Sequence, residues 1–176
     1  MRFEQSLWAA LLSVAPVFGA AIPGDDEYRV SLKPGKPATS FDKKCASIAD
    51  GLIIGRSKLF FAEFVPAGTN LSLPDNDPSC TQSSVPVSVD ICRIALYIST
   101  SSNSGFHMET WLPSNWTGRF LGTGNGGLNG CVAYSDLSYG TSLGFATVGS
   151  NNGHNGTTGE SFYKNAGVVE DFVYRA

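Results

Sequence analysis

A glycine-rich stretch at residues 119–130, RFLGTGNGGLNG, constrains the fold of this chain more than any other feature. Phe120 and Leu121 predict the end of a buried strand, and Gly or Asn fills most positions from Gly122 to Gly130. These residue types tolerate positive φ and let bare backbone approach a ligand closely. The N–H groups of such a loop can bind the oxyanion of an ester's tetrahedral intermediate or a phosphate group.

The elements expected around this loop predict an α/β fold. A strand at Arg119–Gly122 enters the loop, a helical turn is expected near Asp136–Tyr139, and Gly144–Gly149 has the apolar composition of a buried strand. This order predicts a β-α-β unit after an antiparallel start. The earlier elements expected are a short helix beginning after Ser40, strands at Lys58–Val65, Val85–Ser99 (one strand or two) and Phe106–Leu112, and a long loop at Pro66–Ser84.

Within the strand expected at Phe106–Leu112, Phe106 and Met108 alternate with His107 and Glu109. Successive side chains of a strand point to opposite faces of the sheet. We therefore expect His107 and Glu109 to lie on a face in contact with water.

The last residues predict an amphipathic helix. Its charged residues Glu170, Asp171 and Arg175 lie between apolar residues that recur with a helical period. A sheet of two or three parallel strands would leave an apolar face and an open edge exposed, so we expect this chain to be the front part of a larger domain. The apolar set is Val168, Val169, Phe172, Val173 and Ala176.

The N-terminus has the features of a secretory signal peptide. Arg2 precedes an apolar run at Leu7–Phe18, which ends in small residues at Gly19–Ala21. We expect a signal peptide at residues 1–21, an arm without regular structure at 22–39, a catalytic-domain segment at 40–176 and a secreted protein. The net charge of −3 and the pI near 5.3 argue against a nucleic-acid partner, and the apolar run is too short to span a membrane.

Export favours disulfides for the four cysteines, and their spacing leaves three pairings open. A zinc site is disfavoured because the sequence has no CxxC pair and its two histidines lie far from ligand spacing. The secreted interpretation also agrees with three sequons, at Asn70, Asn115 and Asn155, which predict a glycoprotein.

Two known functional motifs occur without the neighbouring elements or residues that they require. Gly122, Gly124 and Gly127 satisfy the dinucleotide pattern GxGxxG, but no acidic residue follows the next strand. Ser142 lies in a GxSxG pattern, which as a nucleophile elbow needs a strand before the serine and a helix after it, the reverse of the order expected here. No Asp or Glu lies between Ser142 and His154 to complete a triad.

His154 lies in a polar glycine loop, NNGHNGTTG, directly after the predicted buried strand. Ligand sites of parallel sheets lie at this end of the strands. We expect His154 to have a structural, hydrogen-bonding role near the site, and His107 to be a surface residue.

Four segments resemble, in the same order, the tannase and feruloyl esterase family of secreted fungal esterases: Gly124–Gly127, Gly144–Thr147, Asn152–His154 and Asp171–Ala176. The resemblance implies an α/β-hydrolase fold whose Ser, Asp and His triad cleaves esters of hydroxycinnamic or gallic acids. It further implies that the backbone amides of Gly126 and Gly127 form the oxyanion loop. The disulfide pairing that it implies is Cys45 with Cys92 and Cys80 with Cys131.

The family's catalytic serine lies in a Cys-Ser-x-Gly-Gly stretch that this sequence lacks, and its acid and histidine come later still. The lid insertion that holds the family's calcium is also missing, so no metal or cofactor site is expected in this chain. We expect an α/β-hydrolase fragment that ends before the nucleophile elbow and is inactive alone. The substrate of the whole enzyme would be a phenolic or plant cell-wall ester. The alternative is a non-catalytic secreted module that binds a carbohydrate or phenol through Trp111, Trp116 and the tyrosines.

Overall fold

The computed structural model describes residues 30–32 and 40–176. The predicted signal peptide and most of the predicted arm lie outside the described residues. In chain order the elements are β1 Val30–Leu32, α1 Phe41–Gly51, β2 Leu52–Ile54, β3 Ser57–Val65, β4 Asn70–Ser72, β5 Ser84–Pro86, β6 Ile91–Ser99, β7 Gly105–Pro113, β8 Arg119–Gly122, α2 Tyr134–Ser142, β9 Phe145–Ser150 and α3 Ala166–Glu170.

The fold is mixed α/β, with a mostly antiparallel central sheet. Its five strands lie in the order β3-β6-β7-β9-β8, and only the last pair, β8 with β9, is parallel. The chain passes from β8 through the glycine loop and α2 into β9, which confirms the predicted β-α-β unit. Two small antiparallel sheets, β1 with β2 and β4 with β5, flank the central one.

Apolar side chains cover both faces of the sheet. On one face Cys45 of α1 packs against Cys92, Ile94 and Leu96 of β6. On the other face Leu137 of α2 belongs to a cluster with Trp111 and other residues of the sheet and its flanking strands. Burying one such large apolar side chain contributes about 1.5–3 kcal/mol to the free energy of unfolding. The sheet is thus a rigid platform for the loops at its edge.

Two disulfides join Cys45 to Cys92 and Cys80 to Cys131, with Cα–Cα distances of 5.4 and 5.7 Å. This confirms the pairing that the family resemblance implied. The first bond ties α1 to β6, and the second ties the 3₁₀ turn Pro78–Cys80 to the end of the glycine loop. Because each closes a loop of roughly fifty residues, each stabilises the fold by about 4 kcal/mol in the chain-entropy model.

Local predictions were wrong at three places in and near the termini and loops. The arm was expected to lack regular structure, yet β1 pairs with β2. The long loop at 66–84 contains β4 and a 3₁₀ turn, because Asn70–Ser72 pairs with Ser84–Pro86. The expected C-terminal helix is present, since α3 continues directly into a π-helical turn at Asp171–Arg175. Its expected amphipathic pattern is wrong, because Asp171 is fully buried and Val173 is exposed.

The strand β8 was expected to be buried and is not. Phe120 and Leu121 are 65% and 36% exposed. The reason is position, since β8 is the outermost strand of the sheet beyond β9. An apolar edge strand of this kind offers unpaired backbone groups to a further strand.

Candidate functional site

The glycine loop turns back on itself at its tip, Gly126–Asn129. The Asn129 N–H donates to the Gly126 carbonyl at 3.1 Å, and Gly127 has φ of +60°, which favours glycine. Among the described residues, none accepts a hydrogen bond from the amide of Gly126 or of Gly127. A Cβ atom at either position would meet nothing within 4 Å. The tip therefore presents free amides in open space.

The first leg of the loop is anchored on β9. The Thr123 N–H donates to the Val148 carbonyl at 2.8 Å, which extends the parallel ladder beyond β8. Two residues further on, the Asn125 side chain donates from Nδ2 to the Ser150 carbonyl at 3.0 Å. These bonds fix the direction in which the tip leaves the sheet.

The second leg is anchored on the segment that follows β9. The Gly130 N–H donates to the Gly156 carbonyl at 2.7 Å in an isolated antiparallel bridge. The Cys131 N–H donates to Asn129 Oδ1 at 2.8 Å, and the Cys131 sulfur is bonded to Cys80. Gly130 and Cys131, the foot of the loop, are thus held by a backbone hydrogen bond, by a side chain and by a disulfide.

A buried ionic network fixes the start of α2, where the loop ends. The Glu109 carboxylate accepts from Arg93 Nε and Nη2 at 2.7 and 2.6 Å, from Trp111 Nε1 at 2.9 Å and from the Tyr134 hydroxyl at 2.9 Å. Glu109 is only 6% exposed, so the expectation that it faces water was wrong. A charge can be buried here because every bond that it loses to water is replaced.

The same network shifts the pKa values of its members. Burial lowers the pKa of Arg93, but the hydrogen bonds and charge of Glu109 raise it by more, so the net shift is upward. Burial raises the pKa of Tyr134, and the Glu109 carboxylate raises it further. Both groups keep their protons at neutral pH, and the network stays ionically paired.

His154 is 5% exposed and lies under the foot of the loop. Its ring makes edge-to-face contacts with Phe162 and Phe172, at centroid distances of 4.8 and 5.5 Å. Neither ring nitrogen has a hydrogen-bond partner among the described residues. The predicted hydrogen-bonding role therefore stays a prediction, while the observed contacts are those of packing.

Ser142 lies apart from these groups. It is the last residue of α2, its hydroxyl donates to the Tyr139 carbonyl at 2.6 Å, and β9 follows it. The helix-before, strand-after order that argued against a nucleophile elbow is confirmed. Ser142 borders a shallow groove with Val85 and Pro86, whereas His154 packs with phenylalanines.

A cavity of about 760 Å³ opens on the α2 face of the sheet, beside the glycine loop. Phe60, Phe61 and Gly130 are among the residues that line it, while Gly126 and Gly127 do not line it. His107 also lines it, is exposed as expected, and stacks on Phe60 at a centroid distance of 5.3 Å. The sequence did not reveal this cavity, because its walls come from segments far apart in the chain.

The aromatic residues and sequons differ in exposure. Trp111 is fully buried, whereas Trp116 is 60% exposed. All three sequon asparagines are exposed, but Asn155 accepts a hydrogen bond from Asn151 at 2.9 Å. Within the described part of the chain, no three His, Cys, Asp or Glu side chains are grouped to hold a metal ion, and no helix has the length and apolarity needed to cross a membrane.

Comparison with known proteins identifies a related family. The family model described as tannase and feruloyl esterase matches residues 92–176 of this chain. The chain is 48% identical over 171 residues to the "Probable feruloyl esterase B-2" of Aspergillus flavus, covering 97% of this chain and 30% of the relative. It is 55% identical over 137 residues to the "Probable feruloyl esterase B" of Aspergillus clavatus, covering 78% and 26%.

Two solved structures are similar over the same proportion of the chain. The feruloyl esterase B from Aspergillus oryzae has a TM-score of 0.75 and 50% identity, and an esterase from the same organism has 0.76 and 55%. Each match covers 77% of this chain and 27% of the solved one. The resemblance predicted from the residues is confirmed, and the chain spans less than a third of the length of the relatives it matches.

Proposed function

We propose that this chain is part of a secreted carboxylic ester hydrolase of the feruloyl esterase and tannase type, and that it supplies the oxyanion loop. The observation that carries the proposal is the pair of free, exposed amides at Gly126 and Gly127. They lie between a parallel strand, β8, and the helix α2, and α/β-hydrolases place an oxyanion-hole N–H in the corresponding loop. The curated relatives named as feruloyl esterases support the same chemistry.

In the proposed reaction a serine attacks the ester carbonyl and forms an acyl-serine, which water then hydrolyses. The carbonyl oxygen gains negative charge in each tetrahedral intermediate. The amides of Gly126 and Gly127 donate hydrogen bonds to that oxygen, and they need little rearrangement because both legs of the loop are anchored. The alcohol released would come from a hydroxycinnamate or gallate ester, such as those of plant cell walls.

We place the Ser, Asp and His of the triad outside this chain. Ser142, at the end of α2, hydrogen-bonds to its own helix, and His154 is enclosed by aromatic rings. Residues 40–176 would then be the N-terminal part of an α/β-hydrolase domain that is inactive by itself and holds no cofactor or metal. Secretion and glycosylation at Asn70, Asn115 and Asn155 belong to the same proposal.

A hybrid enzyme tests the proposal. Residues 40–176 would replace the matching segment of the Aspergillus oryzae feruloyl esterase B, and hydrolysis of methyl ferulate would be measured. We expect kcat/KM within about tenfold of the parent, because the loop, its anchors and the sheet are retained. A hybrid that folds with the parent's Tm but has no activity would reject the proposal. The 176-residue chain alone, assayed in parallel, should be inactive.

The cavity supports a second candidate, a module that binds phenols. Its aromatic wall at Phe60 and Phe61 suits a planar ring. The buried Trp111 is unavailable to such a ligand, and the exposed Trp116 lies outside the residues that line the cavity. Titration of the 176-residue chain with ferulic acid, followed by calorimetry, should show saturable binding that is lost in Phe60→Ala if this candidate is correct. An absence of binding at millimolar ferulic acid would reject it.

A further inference from the structure

Gly130 is in close contact with both the backbone and the ring of His154. A Cβ atom built on Gly130 would clash with the His154 carbonyl oxygen and lie 2.8 Å from both Nδ1 and Cε1 of the ring. The imidazole edge therefore lies directly against the backbone of the loop's foot. Only a glycine fits at position 130 while the backbone and the ring of His154 stay where they are.

The ring is also held in place by packing against two phenylalanines. Phe162 is the last residue of the 3₁₀ turn Glu160–Phe162, and Phe172 lies in the π-helical turn. These two rings also contact each other, at a centroid distance of 5.0 Å. Since neither nitrogen of His154 has a partner among the described residues, the shape of the ring determines its position. The His154 ring thus contacts both the aromatic pair and the foot of the loop.

The residue that His154 contacts, Gly130, is close to the tip along the chain. Only Leu128 and Asn129 separate Gly130 from Gly127, and the turn closed by the Asn129 N–H and the Gly126 carbonyl is short and hydrogen-bonded. Gly130 itself is paired with Gly156, two residues after His154. A change in the ring's position would therefore shift the foot and tilt the amides at the tip.

We propose that His154 is a positioning residue for the glycine loop: through its ring contact with Gly130 it sets the orientation of the Gly126 and Gly127 amides. The catalytic part of this inference rests on the proposed function, whereas the structural part does not. A displacement of about 1 Å at a catalytic group can cost roughly 100-fold in rate. The position of the His154 ring thus affects the energy of the transition state, and so kcat, more than it affects binding of the ester.

The structural part is tested on the 176-residue chain by NMR. His154→Ala should shift the amide resonances of Gly126 and Gly127, whereas His154→Phe, which keeps a ring in contact with Gly130, should leave them nearly unchanged. His107→Ala is the matched control, because it removes an exposed histidine from the cavity wall. Unmoved Gly126 and Gly127 resonances in His154→Ala would overturn the proposal whatever the function of the chain. If His154→Ala does not fold, a large shift in His154→Phe would overturn it as well.

The catalytic part is tested in the hybrid enzyme. We expect His154→Ala to lower kcat by roughly 10- to 100-fold with KM within about threefold, and His154→Phe to restore most of kcat. A lower Tm with unchanged kcat would show a merely structural role and overturn the catalytic part. If the unsubstituted hybrid is inactive while the NMR shifts occur, the proposed function fails and the positioning role stands.

Discussion

The tip and the foot of the glycine loop use the same residue type for opposite physical reasons. At the tip, Gly126 and Gly127 are surrounded by open space within 4 Å of where a side chain would begin. At the foot, Gly130 has the carbonyl and ring of His154 in that space. Glycine at the tip keeps the amides accessible, and glycine at the foot lets two segments of backbone touch.

The two ends of the loop therefore have different roles: the tip can bind a ligand, and the foot supports the tip. The amides of Gly126 and Gly127 have no hydrogen-bond acceptor among the described residues, whereas Gly130 and Cys131 at the foot are joined to Gly156, Asn129 and Cys80. A loop whose support is rigid can leave its donors unpaired and correctly oriented before a ligand arrives. Substitutions at the two ends should therefore have different consequences.

The largest expected effect comes from removing the disulfide at the foot. The double variant Cys80→Ser, Cys131→Ser should lower the free energy of unfolding by about 4 kcal/mol in the chain-entropy model. Removing Cys45–Cys92, which closes a loop of similar length, is the matched control and should cost about as much. Urea unfolding measures both losses. Only the first variant should shift the Gly126 and Gly127 amide resonances, and equal shifts in both would remove the distinction between foot and scaffold.

A second comparison uses one added methyl group. Gly130→Ala should lower the free energy of unfolding by roughly 1–3 kcal/mol, because its Cβ would overlap His154. Gly126→Ala should change it by less than about 0.5 kcal/mol, because its Cβ would meet open space. Thermal unfolding of both variants decides the matter. Equal losses at the two positions would contradict the account of tip and foot.

These two glycines also show where sequence reasoning stops. The spacing of apolar residues and the order of the segments along the chain were sufficient to predict the β-α-β unit around the loop, because local patterns determine local elements. The disulfide pairing followed from resemblance to a family, since spacing left three pairings open. Nothing in the local sequence separates Gly126 from Gly130, because the neighbour that distinguishes them, His154, lies in another loop.

Long-range partners explain the remaining errors as well. Glu109 was expected to face water because it alternates with apolar residues, yet Arg93 and Tyr134, from another strand and a helix, pair with it. Phe120 was expected to be buried because its strand is apolar, but only the strand order shows that β8 lies at the edge. Both depend on which elements are neighbours, and a single sequence does not give that directly.

A smaller effect is expected at the first leg. Asn125→Ala removes the bond to the Ser150 carbonyl and should lower the free energy of unfolding by about 0.5–1.5 kcal/mol. Because the bond orients the tip, the Gly126 resonance should move as well. Asn115→Ala, at an exposed residue of the loop before β8, is the control and should alter neither quantity. An unshifted Gly126 resonance in Asn125→Ala would show that the second leg alone orients the tip.

The smallest effect concerns pH and lies away from the loop. Although His107 is exposed as a residue, its ring is partly desolvated where it lines the cavity; this lowers its pKa, and the charge of Glu109 partly opposes the shift. In the unfolded chain His107 has its ordinary pKa of about 6.5, so as the pH drops through that value the unfolded chain binds more protons than the folded one. The contribution of His107 to the free energy of unfolding is therefore complete above that pH and is lost as the pH falls toward the folded pKa. His107→Gln should make the urea midpoint less sensitive between pH 7 and 5. An identical pH dependence in both proteins would show that His107 is not responsible.

The most direct test of the central claim removes one amide and keeps the rest of the tip. In the hybrid enzyme, Gly126→Pro lacks the N–H, and Gly126→Ala retains it with a side chain that open space accommodates. If the amide binds the oxyanion, kcat for methyl ferulate should be roughly 100- to 1,000-fold lower in the proline variant than in the alanine variant, with Tm values showing both folded. Equal kcat values in the two folded variants would contradict the assignment of Gly126 to the oxyanion site.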